Sequence, residues 1–332
     1  MSIGTTKAKN DDIFIDSVLR PRTFAEYIGQ EKIKQNLRII LKAAAKRKES
    51  VDHLLLSGQA GLGKTTLAHL IAKEMGAEIK ITSGPAIERP GDLASILASL
   101  EEGDILFIDE CHRLNRAIEE ILYPAMESRK IHLVTGKGLG ARMISLDLPA
   151  FTLIAATTRV NLLSSPLRSR FGAIFNLGYY SLGEIETILE RSAELLKIGI
   201  ESAAVSLIAR SSRFTPRLAN RLLKRARDFA EVNNSKIIDE EVAFKTLNLL
   251  EVDSLGLDSF DRRLLDVIIK KFKNRPVGIN TLSAALSEER GVIEEIHEPY
   301  LIKLGLLLRT PKGRVATEAA IKHSEMTMGD ER

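Results

Sequence analysis

The segment that most constrains how this chain can fold is "GQAGLGKT" at 58–65, which fills every fixed position of the pattern G-x-x-x-x-G-K-[ST]. It follows the short apolar run "HLLLS" at 53–57 and leads into the amphipathic stretch "TTLAHLIAKEMG". Glycines let backbone N–H groups surround a phosphate group, and the N-terminus of a following helix adds positive potential. A strand, a glycine loop and a helix in this order predict a nucleotide-binding α/β domain rather than a fortuitous glycine loop.

Two more apolar runs resemble the one before the glycine loop: "DILFI" at 104–108 and "FTLIAA" at 151–156. Each is too short for a helix and nearly unbroken, as parallel strands buried on both faces are. Helical patterns separate the runs, so the expected fold class is α/β with a parallel sheet. The alternating segment 131–148, which surrounds "GKGLG", predicts a β-hairpin that projects from this domain.

The remaining chain predicts helices rather than a second sheet. Amphipathic helices dominate from about Gly183 to Val252, and the glycine-broken "DSLGLDSFD" then resembles a linker. Three helical patterns and two short strands around a Pro-Lys-Gly turn follow, which together describe a winged helix. The helical patterns lie at 258–272, 280–287 and 291–304. The predicted organisation is a flexible N-terminal segment, a large α/β domain, a small all-helical lid and a C-terminal winged helix, at 1–18, 19–181, 182–254 and 255–332.

The glycine loop and the second apolar run supply groups suited to ATP and Mg²⁺. Lys64 would contact the β- and γ-phosphates, and the hydroxyl of Thr65 would ligate the metal. Asp109 follows the second run, where its carboxylate can complete the magnesium shell, and Glu110 can polarise the attacking water. A helix N-cap is the alternative role for these two acids. We therefore expect ATP and Mg²⁺ as cofactors.

The stretch "LFIDECHRLN" at 106–115 contains Asp-Glu-x-His, a box typical of two-lobed helicases. Those enzymes need a second α/β lobe, and the helical chain after residue 181 offers none.

The third apolar run leads into Thr157 and Thr158, which could sense the γ-phosphate from the tip of their strand. Arg168 and Arg170 follow on an outward corner, where an arginine can complete a neighbouring subunit's ATP site and speed hydrolysis by ~10³–10⁵. A surface ion pair is the alternative role for these arginines.

Composition excludes several other classes of protein. The chain has 332 residues, a net charge of +4 and one cysteine, which rules out an internal disulfide framework and fits a reducing compartment. The N-terminus lacks the apolar core of a signal peptide, and no run approaches the length of a membrane span. The histidines are scattered and form no metal-ligand pattern. We expect a cytoplasmic protein that does not associate with a membrane.

Seven stretches, taken in order, closely resemble the RuvB family, the bacterial AAA+ motors of Holliday-junction branch migration. They are "LRPRTFAEYIGQEKIKQNL", "GLGKTTLAHLIA", "LFIDECHRL", "LDLPAFTLIAATTR", "PLRSRFG", "TPRLANRLLKRARDFA" and "EPYLIKLGLLLRTPKGRVAT". The resemblance runs from about Leu19 to Thr317, and its last two stretches are the specific ones, because AAA+ proteins in general share only the first five in outline. It implies an AAA+ P-loop domain, a helical lid and a winged-helix domain.

The resemblance also implies partners. Members of the family act as hexameric rings around duplex DNA at four-way junctions, together with the junction-binding protein RuvA and with the resolvase RuvC in the same complex. The hairpin at 131–148 corresponds to the element that docks RuvA. ATP hydrolysis is expected to pump DNA during recombination and repair.

Roles in nucleotide binding follow from the same resemblance. The adenine end of the pocket is assigned to Leu19, Arg20, Ile28 and Tyr180. The phosphate loop is assigned to Gly61, Gly63, Lys64, Thr65 and Thr66. Thr158 matches the sensor threonine, with Thr157 as the nearer alternative, and Arg170 matches the arginine finger that acts in trans. Arg217, in "TPR" at the start of a lid helix, matches the second sensor.

In the last domain, Arg309 and Arg314 flank the Pro-Lys-Gly turn and match the wing residues that touch DNA in the family. Two cations on a ribbon also suit phosphate contacts, which position a protein without specifying sequence. One departure lies beside the second sensor, where Phe214 stands in place of the family's usual glycine.

Two other functions of the whole protein stay open. A clamp-loader-like AAA+ subunit would end in a helical collar, and an ATP-switched regulator would need base-reading side chains in 280–287.

Overall fold

The computed structural model describes residues 18–135 and 142–327. Contacts between residues divide the chain into two compact units, Met1–Tyr180 and Ser181–Arg332. Most of the predicted flexible segment at 1–18 and the "GKGLG" turn of the predicted hairpin lie outside the described residues. No helix within the described ranges is both long enough and apolar enough to cross a membrane.

The first unit contains the predicted parallel sheet. Its strands are β1 (Leu54–Ser57), β2 (Ile79–Ser83), β3 (Ile105–Asp109), β4 (Lys130–Thr135), β5 (Arg142–Asp147), β6 (Thr152–Thr157) and β7 (Ala173–Asn176). Five of them form one sheet in the order β2-β3-β6-β1-β7, and every pairing in it is parallel. The three predicted apolar runs are its central strands, and nearly all their side chains are buried. The edge strands β2 and β7 are half exposed, which explains why no apolar run marks them in the sequence.

Helices pack on this sheet, and a hairpin extends from it. The helices are α1 (Glu31–Arg47), α2 (Lys64–Met75), α3 (Pro90–Ala98), α4 (Arg116–Ser128) and α5 (Ser165–Arg168). The apolar residues of α1 recur at helical spacing and are largely buried, including Leu37 and Leu41. Asn115 caps α4 by accepting a hydrogen bond from the backbone N–H of Ile118 at 3.1 Å. β4 and β5 pair antiparallel, with Ile131 opposite Leu146, as predicted for the hairpin.

Up to residue 327, where the described part of the chain ends, the second unit is helical apart from two small strand pairs. Its helices are α6 (Leu182–Leu196), α7 (Ser202–Arg210), α8 (Pro216–Val232), α9 (Glu240–Leu249), α10 (Ser259–Asp266), α11 (Ile279–Leu286), α12 (Arg290–Val292), α13 (Glu298–Lys303) and α14 (Glu318–Thr327). The strand pairs are β8 (Gly199–Ile200) with β9 (Ile237–Ile238), and β10 (Leu307–Thr310) with β11 (Gly313–Ala316). π-helical turns, Val267–Lys271 and Ile293–His297, extend α10 and α12. A helical lid followed by a winged helix confirms the predicted fold class.

A buried ionic network joins the helical part of this unit to its winged helix. Arg213, just before α8, binds two acids at the start of α10: its Nη2 lies 2.5 Å from Asp261 Oδ2 and 2.7 Å from Asp258 Oδ2. Asp261 is fully buried and also contacts His297 Nδ1, at 2.6 Å from its Oδ1. Ligand atoms of these two acids and His297 lie within 4.8 Å of one another, but the guanidinium of Arg213 supplies the positive charge there.

Replacing Arg213 with alanine should strongly destabilise the second unit, because the fully buried carboxylate of Asp261 would lose its cation. Removing one partner of such a pair costs about 3–5 kcal/mol. Hydrogen exchange of backbone amides in α8 and α10 would report the change. Arg225→Ala is the matched control, since Arg225 pairs with Asp228 at 3.0 Å on an exposed face, where a loss of no more than about 1 kcal/mol is expected. Equal losses in the two variants would contradict the assignment.

The same network predicts a pH dependence. Burial alone would raise the pKa of Asp258, but the backbone N–H of Asp261 and the charge of Arg213 hold that pKa below its ordinary value. A lowered folded pKa contributes stability above the unfolded pKa of about 3.9, and this contribution is lost as pH falls through the folded pKa. Denaturant unfolding of wild type and Asp258→Asn should therefore differ at neutral pH and converge in acid. A difference that does not shrink as pH falls through the acid range would refute this account.

Candidate functional site

The glycine loop between β1 and α2 follows a path that side chains at two positions would obstruct. Gly58 and Gly63 have φ values of 140° and 97°. A Cβ on Gly58 would lie 2.6 Å from the carbonyl oxygen of Leu177, and one on Gly63 would lie 2.8 Å from Tyr27 Oη. The loop can approach its neighbours this closely because glycine has no Cβ.

Lys64 begins α2 and folds back over the loop. Its Nζ donates to the carbonyl oxygens of Gly58 at 2.8 Å and Gln59 at 2.9 Å. Thr65 and Thr66 follow in the first turn of α2, where both are half-buried. An ammonium group and two hydroxyls thus lie beside the N-terminus of α2, as the sequence predicts for a phosphate site.

Two tyrosines fix the far side of the loop. Tyr180 Oη donates to the carbonyl oxygen of Leu62 at 3.2 Å and lies 3.3 Å from Tyr27 Oη. Burial, together with Tyr180, raises the pKa of Tyr27 well above its ordinary value, so Tyr27 stays neutral. Tyr180 was predicted as a site residue, whereas Tyr27 was missed. In the sequence, Tyr27 is one of two aromatic residues in "FAEYIGQ", and it fits no motif.

The other residues predicted for the adenine end lie in the same unit. Leu19 is buried, whereas Arg20 and Ile28 are half-buried. Burial, reinforced by the charge of Arg20, lowers the pKa of His69 on α2. Gln30 pairs with the backbone of Gly178, donating to its carbonyl oxygen at 2.7 Å and accepting from its N–H at 3.3 Å. This pairing holds the chain near Ile28 against the segment that leads to Tyr180.

Asp109 and Glu110 lie at the carboxyl end of β3. Asp109 ends the strand, and its Oδ1 accepts a hydrogen bond from the backbone N–H of Glu110 at 2.9 Å. Glu110 has a φ of 48°, and its half-exposed carboxylate lies 3.3 Å from Arg113. The N-cap alternative does not hold for Glu110, whose side chain caps no helix. Next to it, burial raises the pKa of the Cys111 thiol to about 12, with Asp109 and Glu119 adding to the effect.

The two threonines that end the third run have different surroundings. Thr157 is buried, and its Oγ1 lies 3.1 Å from His112 Nδ1 and accepts from the backbone N–H of Arg159 at 2.9 Å. Its hydroxyl is therefore engaged within the protein. Thr158 is half-buried and follows directly after β6. His112 thus makes a local polar contact with Thr157.

Arg170 lies just beyond α5 and is held by several groups of its own chain. Its Nη1 donates to the carbonyl oxygen of Pro166 at 2.6 Å, and its Nη2 lies 3.0 Å from Glu127 Oε1. The guanidinium stacks 4.7 Å from the ring centroid of Tyr123. Its Nε is buried, and no group in the described ranges accepts from it. In the single chain, Arg170 thus forms the ion pair that the sequence left open as the alternative.

Arg217 and the two wing arginines belong to the second unit. Arg217 is exposed in the first turn of α8, directly after Pro216. Arg309 is also exposed, and its Nη2 lies 3.7 Å from Glu294 Oε1.

Arg314 differs from the expectation of a DNA-facing cation. Only 6% of its surface is accessible, and its Nε lies 2.6 Å from Glu298 Oε1. Its Nη2 lies 3.1 Å from the other carboxylate oxygen of Glu298 and 3.0 Å from Glu294 Oε1. This charge is neutralised inside the winged helix, because two acids on the preceding helical segment face β11.

A glycine loop at a helix N-terminus, strand-end acids and a strand-end threonine on a parallel sheet define a P-loop ATPase, here of the AAA+ class. Three family models match in order: the Holliday junction DNA helicase RuvB P-loop domain at 19–177, the RuvB AAA lid domain at 180–253 and the RuvB C-terminal winged helix domain at 254–325. The chain belongs to the RuvB family, the AAA+ ATPase motors of Holliday-junction branch migration.

Solved structures agree with this assignment. The Thermotoga maritima RuvB Holliday junction branch migration motor is 48% identical, with a TM-score of 0.85, over 93% of this chain and 98% of that one. The K64R mutant of the same protein matches at 48% identity and a TM-score of 0.86, covering 92% of this chain and 98% of its own. The R170A form matches at 48% identity and 0.85, with the same coverage as the K64R mutant.

The geometry of the glycine loop gives a testable prediction. Gly58→Ala should weaken ATP binding by an order of magnitude or more, because the new Cβ would overlap a backbone oxygen and force the loop to move. Gly76→Ala is the control, because Gly76 also has a positive φ, 64°, but an added Cβ there meets nothing within 4 Å. Titration with a fluorescent ATP analogue measures the effect. Equal affinities in the two variants would show that the loop tolerates the side chain.

Proposed function

We propose that this protein, as a homohexameric ring acting with RuvA, uses ATP to pump duplex DNA and drive branch migration at four-way junctions during recombination and repair. One observation carries the proposal. In this member of the RuvB family, the chain contains an ATPase site at the strand ends, then a lid, and then a winged helix. Action on chromosomal DNA would place the protein in the cytoplasm. We include RuvC in the same complex on the sequence resemblance alone.

Lys64 is proposed to bind the β- and γ-phosphates of ATP, exchanging the carbonyl oxygens of Gly58 and Gln59 for phosphate oxygens. Thr65 and Asp109 offer a hydroxyl and a carboxylate, the hard oxygen donors that suit Mg²⁺. When bound, Mg²⁺ would neutralise charge on the phosphates. Glu110 is proposed to orient and polarise the attacking water, since its carboxylate is half exposed at the end of β3.

Thr158 is proposed as the γ-phosphate sensor rather than Thr157. The hydroxyl of Thr157 is already held by His112 and by the N–H of Arg159, whereas Thr158 lies beyond the strand end. Leu19, Arg20, Ile28 and Tyr180 are proposed for the adenine end, and Gly61, Gly63 and Thr66 for the phosphate loop. Arg217 is proposed to respond to the nucleotide state, because it is exposed at the start of α8.

Arg170 is proposed to act in trans on a neighbouring subunit's ATP. Glu127 and the ring of Tyr123 hold its guanidinium in the single chain. A γ-phosphate carries more charge than a carboxylate, so it could displace Glu127 once a neighbour binds.

Contacts with partners are proposed on two surfaces. On β5, Met143, Ile144 and Leu146 are 71%, 44% and 40% exposed, and exposed apolar groups on a hairpin favour a protein partner such as RuvA. On the wing, Arg309 is proposed to contact DNA phosphates. We assign Arg314 the supporting role of fixing β11 to the helical segment that bears Glu294 and Glu298. The winged helix disfavours a clamp-loader collar.

The first experiment is dissociation of a synthetic four-way junction by the protein with ATP and RuvA. Arg170→Ala and Lys64→Ala should each abolish strand separation, and Arg170→Ala should reduce ATP hydrolysis by ~10³ or more. Arg168→Ala is the control, because it removes the other arginine of the same segment, which is not proposed to act in trans. Failure of wild type to separate strands, despite ATP hydrolysis, would refute branch migration.

Mixing the two inactive variants tests whether Arg170 acts in trans. In a mixed ring, a Lys64→Ala subunit can supply its Arg170 to the intact phosphate loop of an Arg170→Ala neighbour. ATPase activity should therefore return on mixing, up to a fraction of the wild-type value. No recovery in rings shown to contain both subunits would mean that Arg170 acts within its own chain.

A further inference from the structure

A groove on the winged helix has features that the proposed wing contact does not use. It lies between the π-helical end of α10 and the start of α11 and has a volume of about 480 Å³. Lys271, Lys273 and Arg275 line it, together with Thr281, and no carboxylate does. All three cations are exposed.

The charges in this groove are not neutralised. Lys271, Lys273 and Arg275 take part in no ion pair with any residue in the described ranges. The adjacent Lys270, by contrast, lies 2.7 Å from Asp266. Three uncompensated cations within five residues create a local positive potential that attracts anions.

The wing holds this basic segment in place. Asn274 donates from Nδ2 to the carbonyl oxygen of Ala316 and accepts from the Ala316 N–H, both at 3.0 Å. Val277 exchanges two backbone hydrogen bonds with Arg314 on β11, at 2.8 and 3.0 Å. The segment therefore forms a third strand-like edge on the wing, and its cations are positioned before any ligand binds.

The backbone of the segment is also unusual. Lys273 and Asn274 have φ values of 50° and 53°. Asparagine tolerates this left-handed region, whereas for lysine it costs roughly 1–2 kcal/mol. This left-handed turn ends the helical segment, and the side chain of Lys273 lines the groove.

We propose that this groove binds backbone phosphates of duplex DNA, as a second track of contacts beside Arg309. The inference rests on the proposed function, which makes duplex DNA the partner of the winged helix. Exposed cations on a fixed edge suit phosphates, because phosphate contacts position a protein on DNA of any sequence. Each phosphate neutralised adds about 0.9 to the salt dependence of affinity. Three cations should therefore contribute a slope of about 2–3.

The test is anisotropy of a labelled duplex with the full-length chain and a non-hydrolysable ATP analogue, at several salt concentrations. Lys271→Gln, Lys273→Gln and Arg275→Gln together should lower the slope of log affinity against log salt by about 2–3, weakening binding roughly 10²-fold at 0.1 M salt. The matched control replaces Arg38, Lys42 and Lys46, exposed cations on α1, by glutamine, and its slope should stay near that of wild type.

Each outcome decides a separate point. A wild-type slope in the groove variant would overturn the groove and leave the proposed function intact, provided wild type still binds the duplex. An equal loss in the α1 control would also overturn it, since net charge alone would then explain the effect. Displacement of the duplex by inorganic phosphate at constant ionic strength would indicate a free-phosphate site instead. If wild type binds no duplex, the proposed function fails first.

Lys273→Gly separates binding from folding. Glycine adopts positive φ freely, so the variant should melt no lower than wild type by more than a degree or two, because relief of strain offsets the added flexibility of the unfolded chain. It should nevertheless lose about one unit of salt slope. A stable variant with an unchanged slope would remove Lys273 from the proposed site.

Discussion

The parallel alignment of β1, β3 and β6 is the constraint on which the candidate ATP site depends. Ser57 lies opposite Thr157 in neighbouring strands, and Asp109 ends the strand between β2 and β6. Because parallel strands end at one edge, the loops that follow them meet there. The glycine loop supplies N–H donors, β3 supplies carboxylates and β6 supplies hydroxyls. No single one of these segments carries all the groups needed to bind and hydrolyse a nucleoside triphosphate. The site therefore depends on the order of the strands, which brings the three segments together.

In the second unit, the structure depends in the same way on the ionic network around Arg213, which joins the helical part to the winged helix. Arg213 and Phe214 both have a φ of 53°, and α8, which carries Arg217, begins two residues later. Arg213 binds acids at the start of the winged helix, and Lys303 lies 4.8 Å from the ring centroid of Phe214. Two left-handed residues persist because surrounding contacts hold them. The segment before the proposed sensor helix is thereby fixed to the part of the chain proposed to hold DNA.

The sequence predicts those features that depend on local pattern. Unbroken apolar runs identify the central strands, and the glycine motif locates the phosphate loop. Edge strands β2 and β7 escape prediction because half-exposed strands lack such runs. The sequence does not predict the role of Tyr27 or the burial of Arg314. Their partners, Tyr180 and Glu298 respectively, are brought close by the fold and not by a recognisable spacing in the sequence. The trans role proposed for Arg170 depends on a second chain, whose contacts are not encoded in the local pattern around Arg170.

The wing shows how the same residue type takes opposite roles according to its neighbours. Arg314 is raised in pKa by Glu298 and Glu294, although its burial alone would lower it, and its donors are used inside the protein. Arg309, directly opposite it across the ribbon, is exposed. The attraction for DNA that we propose would then come from Arg309, which is exposed and only 3.7 Å from Glu294, and from the groove at 271–275. Such contacts would depend on the charge of the DNA phosphates and not on the identity of the bases. A motor that moves along DNA of any sequence requires contacts of this kind.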